Sequence, residues 1–129
     1  MATLLDTHAV LWALTDPAAL SPPAHRLITD PAEEIVVSAA STWELATKHR
    51  LGRLPEADAL LAGHASHLAR LGARPLDITL EHALLAGGMA WRHRDPFDRM
   101  LAAQCLVEGL ALITKDPTFG EVGGLPLIW

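Results

Sequence analysis

The sequence contains one cysteine, no tyrosine and two phenylalanines among its 129 residues. The single Cys105 excludes an intramolecular disulfide, and its apolar surroundings indicate a core residue in a reducing compartment. No apolar run reaches the length of a membrane span. The segment "MATLLDTHAVLW" carries Asp6 early and has no basic residues before its apolar part, so it is not typical of a signal peptide. We therefore expect a cytoplasmic protein with no membrane partner.

Positive charge is also scarce. Ten Lys and Arg residues face fifteen Asp and Glu residues, which gives a formal net charge of −5 and argues against a broad basic surface for nucleic acid. Six of the ten basic residues nevertheless lie in two short windows: Lys48, Arg50 and Arg53, then Arg92, Arg94 and Arg99. Two interpretations stay open, namely two solvated faces or a local basic rim that contacts a phosphate backbone around an acidic centre.

Apolar residues, by contrast, make up half of the chain. This content excludes general disorder, and the length is sufficient for one sizeable core, so we expect a single domain over residues 1–129. Short apolar segments typical of buried strands occupy 2–6, 34–39, 73–78, 110–114 and 125–129, the last at an edge because Pro126 cannot donate a ladder hydrogen bond. Helical patterns occupy 7–15, 24–30, 41–52, 56–72, 79–91 and 96–109. This alternation predicts an α/β fold with a mainly parallel sheet of about four to five strands.

Four acidic residues stand where strands end or helices begin. Asp6 closes the first strand, and Asp116 follows the fourth. Glu44 lies near the start of the helix after the second strand, and Asp98 opens the helix before the fourth. Such positions converge at one edge of an open α/β sheet.

Each of these acids also has a purely structural explanation. Asp6 suits a helix cap, and Asp98 suits the positive end of a helix dipole. Ser38 or Ser41 could cap the helix after the second strand, and Glu44 has capping-box spacing from Ser41. Asp116 before a proline is ordinary turn chemistry. Four clustered carboxylates, however, would repel one another unless a divalent cation compensates them, and a site with only oxygen ligands suits Mg²⁺ or Mn²⁺ better than zinc.

The segments "LLDTHAVLW", "SAASTWELATK", "RDPFDRMLAAQ" and "LITKDPTF" resemble, in order and spacing, the four acidic motifs of the PIN-domain ribonucleases, and most closely those of the VapC-type toxins. The resemblance implies a PIN-like three-layer α/β/α sandwich and a Mg²⁺- or Mn²⁺-dependent endoribonuclease that hydrolyses RNA phosphodiester bonds. It also implies a cognate antitoxin protein as inhibitor, with residues 35–70 contributing to its groove, and a homodimer. The catalytic and metal-binding residues that it implies are Asp6, Glu44, Asp98 and Asp116.

The same resemblance implies four auxiliary residues. Thr7 and Thr114 lie beside the first and fourth acids, where Thr7 could orient ligand or water. Asp95 is ambiguous between a helix start and a supporting acid. Arg99 either offsets negative charge and contacts substrate phosphate, or pairs with Asp95 at the surface.

Other interpretations remain open beside the nuclease. A phosphoacceptor receiver domain is disfavoured because Asp6 has no adjacent second acid at its strand end, and a non-catalytic PIN-like module that binds RNA or protein is an alternative. His64 and His67 have the spacing of a helical metal-binding pair but lack a second pair of ligands. The four tryptophans are favoured as core or interface residues over base-stacking platforms.

Overall fold

Five parallel strands form the central sheet of the computed structural model, which describes residues 2–129. The strands are β1 (Ala2–Leu5), β2 (Glu34–Ser38), β3 (Ala73–Leu76), β4 (Ala111–Ile113) and β5 (Leu127–Ile128). Their order is β3-β2-β1-β4-β5, and every neighbouring pair is parallel. The prediction of a parallel sheet with the last segment at an edge is confirmed. Pro126 lies just before β5 and contributes its carbonyl, which accepts from the Leu112 amide at 2.9 Å.

Seven helices cover the two faces of this sheet. They are α1 (Thr7–Thr15), α2 (Pro22–Thr29), α3 (Ala39–Arg50), α4 (Asp58–Leu61), α5 (His64–Leu71), α6 (Leu80–Gly88) and α7 (Pro96–Glu108). Short 3-10 turns at Pro17–Ala19, Pro55–Ala57 and Pro117–Glu121 complete the regular structure. None of the helices within residues 2–129 has the length and apolar character that a membrane crossing needs.

Alternate residues of the central strands feed two separate cores. Leu5 of β1 and Ile113 of β4 pack with residues of α1, α2, α4 and α5 on one face. Leu4 and Leu112, the neighbours of those residues, pack with Leu101 and other residues of α7 on the opposite face. This alternation follows from the two-residue repeat of a strand, and it confirms the three-layer α/β/α sandwich.

Two of the predicted helices differ from the observed ones. The predicted helix over 56–72 is wrong, because Gly63 adopts a left-handed conformation (φ 69°) and separates α4 from α5. The helix predicted over 41–52 begins earlier, at Ala39, with the Ser38 hydroxyl accepting from the Ala40 amide as its cap. Of the two caps that the sequence offers for this helix, Ser38 is therefore confirmed, and the capping box of Ser41 and Glu44 is wrong.

The order of the strands creates a crevice beside β1. The chain adds β2 and β3 on one side of β1 and then returns to place β4 on the other side. Ligands of open α/β sheets bind at the carboxyl ends of the strands where the direction of winding reverses, which here is between β1 and β4. The Asp6 amide donates to the Ile113 carbonyl at 2.9 Å, so the residue that follows β1 is fixed at this crevice.

Candidate active site

Asp6 lies buried at the end of β1, where it caps α1. Its Oδ1 accepts from the Thr7 amide at 2.6 Å, and its Oδ2 accepts from the Thr114 hydroxyl at 2.7 Å. Burial raises the pKa of the Asp6 carboxyl and the charge of Glu44 raises it further, while the hydrogen bonds from Thr114 and Thr7 and the positive charge of His8 lower it in part. The predicted helix cap is confirmed. The pKa of this carboxyl nevertheless stays above its usual value, so a nearby positive charge would stabilise the ionised form.

Glu44 projects from the second turn of α3 and is 3% exposed. Its Oε2 accepts from the ammonium group of Lys48, one turn further along the helix. Its Oε1 is buried and has no hydrogen-bond partner among residues 2–129. A buried carboxylate oxygen without a partner is costly, so this atom marks a position that a cation would stabilise.

Asp98 lies in the first turn of α7, and His93 holds it from the loop before the helix. The His93 Nε2 is 2.7 Å from the Asp98 Oδ2. Burial raises the pKa of Asp98 to about 6, and the charges of Asp95, Asp6 and Glu44 act in the same direction against the hydrogen bond from His93. The negative charges of Asp6 and Glu44 thus act on Asp98 at the start of α7.

Asp95 is the cap of α7, which is the helix-start position that the sequence left open for it. Its Oδ1 accepts from the amides of Phe97 at 2.9 Å and Asp98 at 3.2 Å. His93, Asp95 and Asp98 each present one potential ligand atom, and these atoms lie within 4.8 Å of one another. Asp95 therefore fixes the backbone of Asp98 and lies near its carboxylate.

Asp116 is connected to Asp6 through the hydroxyl group of Thr114. Its amide donates to the Thr114 hydroxyl at 3.0 Å, and its Oδ1 accepts from the Thr118 amide at 2.9 Å as the cap of the last 3-10 turn. Burial alone would raise the pKa of Asp116. The hydrogen bonds from Thr118 and the positive charges of His93 and His8 outweigh it and lower the pKa. Asp116 thus remains an ionised acid at the more open side of the cluster.

The four sequence-predicted acids therefore converge at the carboxyl ends of β1, β2 and β4. Three of them are close enough for their charges to act on one another, and the fourth shares the hydroxyl of Thr114 with Asp6. The donor set consists of carboxylate oxygens, it contains one orphaned buried oxygen, and burial disfavours its negative charge. This combination fits a hard divalent cation with oxygen ligands.

Two auxiliary residues take other roles than the sequence suggested. The Thr7 hydroxyl is buried and donates to the Ser41 hydroxyl at 3.0 Å, so it joins α1 to α3 instead of facing a ligand. The guanidinium group of Arg99 donates to four backbone carbonyls, those of Ala86, Met89, Trp91 and His93. The expected pair with Asp95 is thus not formed, because the loop carbonyls engage these donors, and a contact of Arg99 with substrate phosphate stays a prediction.

His93 is the site residue that the sequence predictions did not include, although its position five residues before Asp98 was a usable signal. His64 and His67, the other histidines considered, are engaged elsewhere. The His64 ring bonds the Thr42 hydroxyl at 2.8 Å, and the His67 ring bonds the Ala59 carbonyl at 3.1 Å. These separate partners do not support a metal site at that pair.

The tryptophans divide into different environments. Trp91 is buried in the core with α7, in agreement with its predicted core role. Trp43 is 59% exposed and packs edge-on against Phe97 with ring centroids 4.8 Å apart. Trp12 and Trp129 are half-buried at the edge of the other core, where they border a pocket that Asp6 and Asp116 also line.

Comparison with known proteins gives a consistent set of relatives. Residues 3–125 match the PIN domain family. Ribonuclease VapC22 of Mycobacterium tuberculosis is 32% identical over 116 residues, which cover 88% of this chain and 85% of that protein. Ribonuclease VapC16 of the same organism is 34% identical over a shorter stretch of 56 residues, which covers 43% of this chain and 40% of that protein.

Solved structures share the fold at lower sequence identity. One chain of VapBC2 from Rickettsia felis, bound to a DNA fragment from its promoter, superimposes with a TM-score of 0.70 at 15% identity and covers 99% of this chain and 98% of its own. VapBC-1 from nontypeable Haemophilus influenzae gives a TM-score of 0.68 at 20% identity, with 99% and 97% covered. At these identities the likeness concerns the fold alone.

Proposed function

Because the chain belongs to the PIN-domain family and is related to its VapC ribonucleases, we propose that it is a metal-dependent endoribonuclease and the toxin of a toxin–antitoxin pair. Ribonuclease VapC22, at 32% identity over most of both chains, supports the activity. The single observation that carries the proposal is the cluster of the buried Asp6 and Glu44 with the half-buried Asp98, in which a buried Glu44 oxygen has no hydrogen-bond partner among residues 2–129.

In this proposal Asp6, Glu44, Asp98 and Asp116 hold Mg²⁺ or Mn²⁺. When bound, such an ion supplies Lewis-acid polarisation of the phosphate and makes water more acidic. The acids themselves serve as anchors, and their raised pKa values reflect a need for positive charge. A phosphodiester at this edge would bring further negative charge, so the acids would be able to bind it only through the cation.

The neighbouring residues orient the anchors. Thr114 fixes the Oδ2 of Asp6, and His93 fixes the Oδ2 of Asp98, so that each carboxylate is held from one side. Lys48 neutralises one oxygen of Glu44 and leaves the other free for the cation. Ligands held in this way lose little conformational freedom when the ion arrives, which favours tight and specific binding.

We propose that an antitoxin protein inhibits the enzyme by docking a segment in the groove between α3 and α5. This groove has a volume of about 350 Å³, and its lining includes Val37, Thr42, His64, Leu68 and Pro75. Its mostly apolar walls suit an amphipathic segment of a partner chain. The exposed Leu80 and Leu84 on α6 offer a separate apolar surface, which supports the homodimer expected from the family resemblance.

The decisive experiment is RNA cleavage by the purified chain with Mg²⁺, with Mn²⁺ and with EDTA. We expect metal-dependent cuts in total RNA, and a loss of at least about a hundredfold in Asp6→Asn, since even supporting residues of metal sites contribute ten- to a hundredfold. Glu56→Gln, which changes an exposed acid outside the proposed ligand set, is the matched control and should retain full activity. Equal cutting by Asp6→Asn and the unchanged protein would contradict the proposal.

The alternative function is a non-catalytic PIN-like module that binds RNA or protein. It predicts RNA binding without cuts in either metal. Measuring binding and cleavage on the same labelled RNA separates the two functions, since only the nuclease converts bound RNA to fragments.

A further inference from the structure

We infer that a pocket beside the acidic cluster binds an unpaired RNA base that flanks the phosphate at the cluster. This indole pocket is lined by Asp6, His8, Trp12, Lys115, Asp116 and Trp129 and has a volume of about 380 Å³. The inference deepens the proposed ribonuclease function and rests on it for the choice of RNA as ligand. It assigns Trp12 and Trp129 a binding role, whereas the sequence favoured them as core or interface residues.

The pocket is continuous with the acidic cluster. Asp6 and Asp116 form part of its wall, and both are connected through the hydroxyl of Thr114. Trp12 lies on α1, six residues after Asp6. Trp129 directly follows β5, the edge strand beside β4. A ligand in the pocket would therefore contact the same two acids that border the proposed cation site, which is the position of a nucleotide next to the phosphate there.

The two indoles of the pocket pack against the core on one side and border the pocket on the other. Trp12 and Trp129 both pack against the core of α1, and their ring centroids are 5.8 Å apart at an angle of 54°. His8 lies 5.7 Å from Trp12 on the exposed side of α1. At this spacing the two indoles contact each other, so a base stacks on the face of an indole that borders the pocket, with little dependence on sequence.

A cation stands at the same pocket. The Lys115 ammonium lies 5.9 Å from the centroid of the Trp12 ring, and Lys115 is exposed. The ammonium lies over the indole, so a base that stacks on this face of Trp12 would displace it, and the long Lys115 side chain would then contact the phosphate of the nucleotide. The Lys115 ammonium repels an arginine or lysine side chain of a protein segment, whereas it attracts a nucleotide phosphate, and the carboxylates would meet that phosphate through the proposed cation. The charge arrangement therefore favours RNA as the occupant.

The test measures binding separately from cleavage. Fluorescence anisotropy of a labelled single-stranded oligoribonucleotide is measured in the Glu44→Gln background with Mg²⁺ and also with EDTA. This background lacks a proposed catalytic acid and leaves the pocket lining unchanged, so that a failure of catalysis leaves the readout intact. We expect Trp12→Ala and Trp129→Ala each to weaken binding about tenfold, and Trp12→Phe to restore most of it. Leu51→Ala, which removes an exposed apolar side chain at the end of α3, is the control and should bind normally.

Two further arms identify the base and the phosphate. An oligoribonucleotide of the same length with abasic positions should bind Trp12→Ala and the background protein equally, because it has no ring to stack. Lys115→Gln should lower the salt dependence of binding by about one phosphate contact. The inference is overturned if Trp12→Ala binds intact RNA normally, or if it binds the abasic RNA tenfold more weakly than the background protein does. It is also overturned if the variants bind RNA normally and lose only their binding of the antitoxin. Normal folding of each variant is verified by its thermal transition.

Discussion

The hydroxyl of Thr114 donates to the Oδ2 of Asp6 at 2.7 Å, although 108 positions separate the two residues in the chain. The same hydroxyl oxygen accepts from the Asp116 amide at 3.0 Å. One small side chain at the end of β4 thus connects the acid that follows β1 with the acid that follows β4. This contact depends on the pairing of β1 with β4, so the site is assembled by the sheet itself.

We predict that Thr114→Val weakens metal binding. Valine has nearly the same shape but cannot donate to Asp6 or accept from Asp116, so both acids lose the group that orients them. The expected effect is a ten- to hundredfold rise in the dissociation constant for Mn²⁺, of the size found for supporting residues of metal sites. Isothermal titration calorimetry measures it directly.

Thr114→Ser provides the matched control, because serine keeps the hydroxyl and loses only a methyl group. It should bind Mn²⁺ within a few-fold of the unchanged protein. If Thr114→Ser weakens binding as much as Thr114→Val does, packing of the methyl group and not the hydrogen bond controls the site, and the orienting role of Thr114 is wrong.

The order of elements and the positions of the acids were predictable because both follow from local chemistry. A short apolar run predicts a buried strand, and an acid at the end of that run predicts a helix cap or a ligand. Structural and functional explanations had seemed to compete at Asp6 and Asp116. The structure satisfies both, since each residue caps its turn with one oxygen while it lies at the shared edge of the sheet.

What could not be predicted depends on contacts between distant segments or on backbone geometry. Gly63 sits in a helix-like pattern, and only its left-handed conformation shows that the helix stops there. Arg99 follows an acid in sequence, yet its partners are carbonyls six to thirteen positions away. The Lys48 and Glu44 pair has the spacing of an ordinary surface ion pair, and only burial of Glu44 gives it importance.

We predict that Asp98→Asn stabilises the metal-free protein. The side chain is half-buried beside other acids, so a neutral amide removes repulsion while its oxygen still accepts from His93. The free energy of unfolding in EDTA should rise by about 1 kcal/mol. The same variant should lose the rise in melting temperature that Mn²⁺ gives the unchanged protein, because one ligand is missing.

Thermal unfolding with EDTA and with Mn²⁺ checks both halves of this prediction. Glu56→Gln removes an exposed negative charge outside the proposed ligand set. It should change the free energy of unfolding by no more than about 0.5 kcal/mol and should keep the rise in melting temperature that Mn²⁺ gives. A metal-free Asp98→Asn protein that is less stable than the unchanged one would mean that Asp98 contributes more through its hydrogen bond than it costs through repulsion.

We predict that Arg99→Lys destabilises the fold and slows cleavage. The guanidinium group donates hydrogen bonds to four backbone carbonyls, those of Ala86, Met89, Trp91 and His93. An ammonium group cannot reproduce this planar arrangement of donors. The loss should be about 2 kcal/mol in urea unfolding. Cleavage should fall as well, because the loop that positions His93 against Asp98 loses its anchor.

Arg92→Lys is the control for this substitution, since Arg92 is exposed in the same loop. It should alter the free energy of unfolding by no more than about 0.5 kcal/mol. Equal effects of the two substitutions would show that the loop responds to lost arginine charge in general and that the four carbonyl contacts add little.

We predict a pH-dependent contribution to stability from Cys105, which is buried against the sheet with its thiol 3.8 Å from the Ala111 carbonyl. Burial raises the pKa of its thiol from 9.0 to about 12. Between these values the native state retains a proton that the unfolded chain releases, so stability falls as pH rises. The expected loss is about 1.4 kcal/mol from pH 8 to pH 10. Urea unfolding at both values should show this loss in the unchanged protein relative to Cys105→Ala, which lacks the titrating group. If the difference between the two proteins stays constant, the thiol ionises as readily in the folded state as in the unfolded one, and its burial is not maintained in solution.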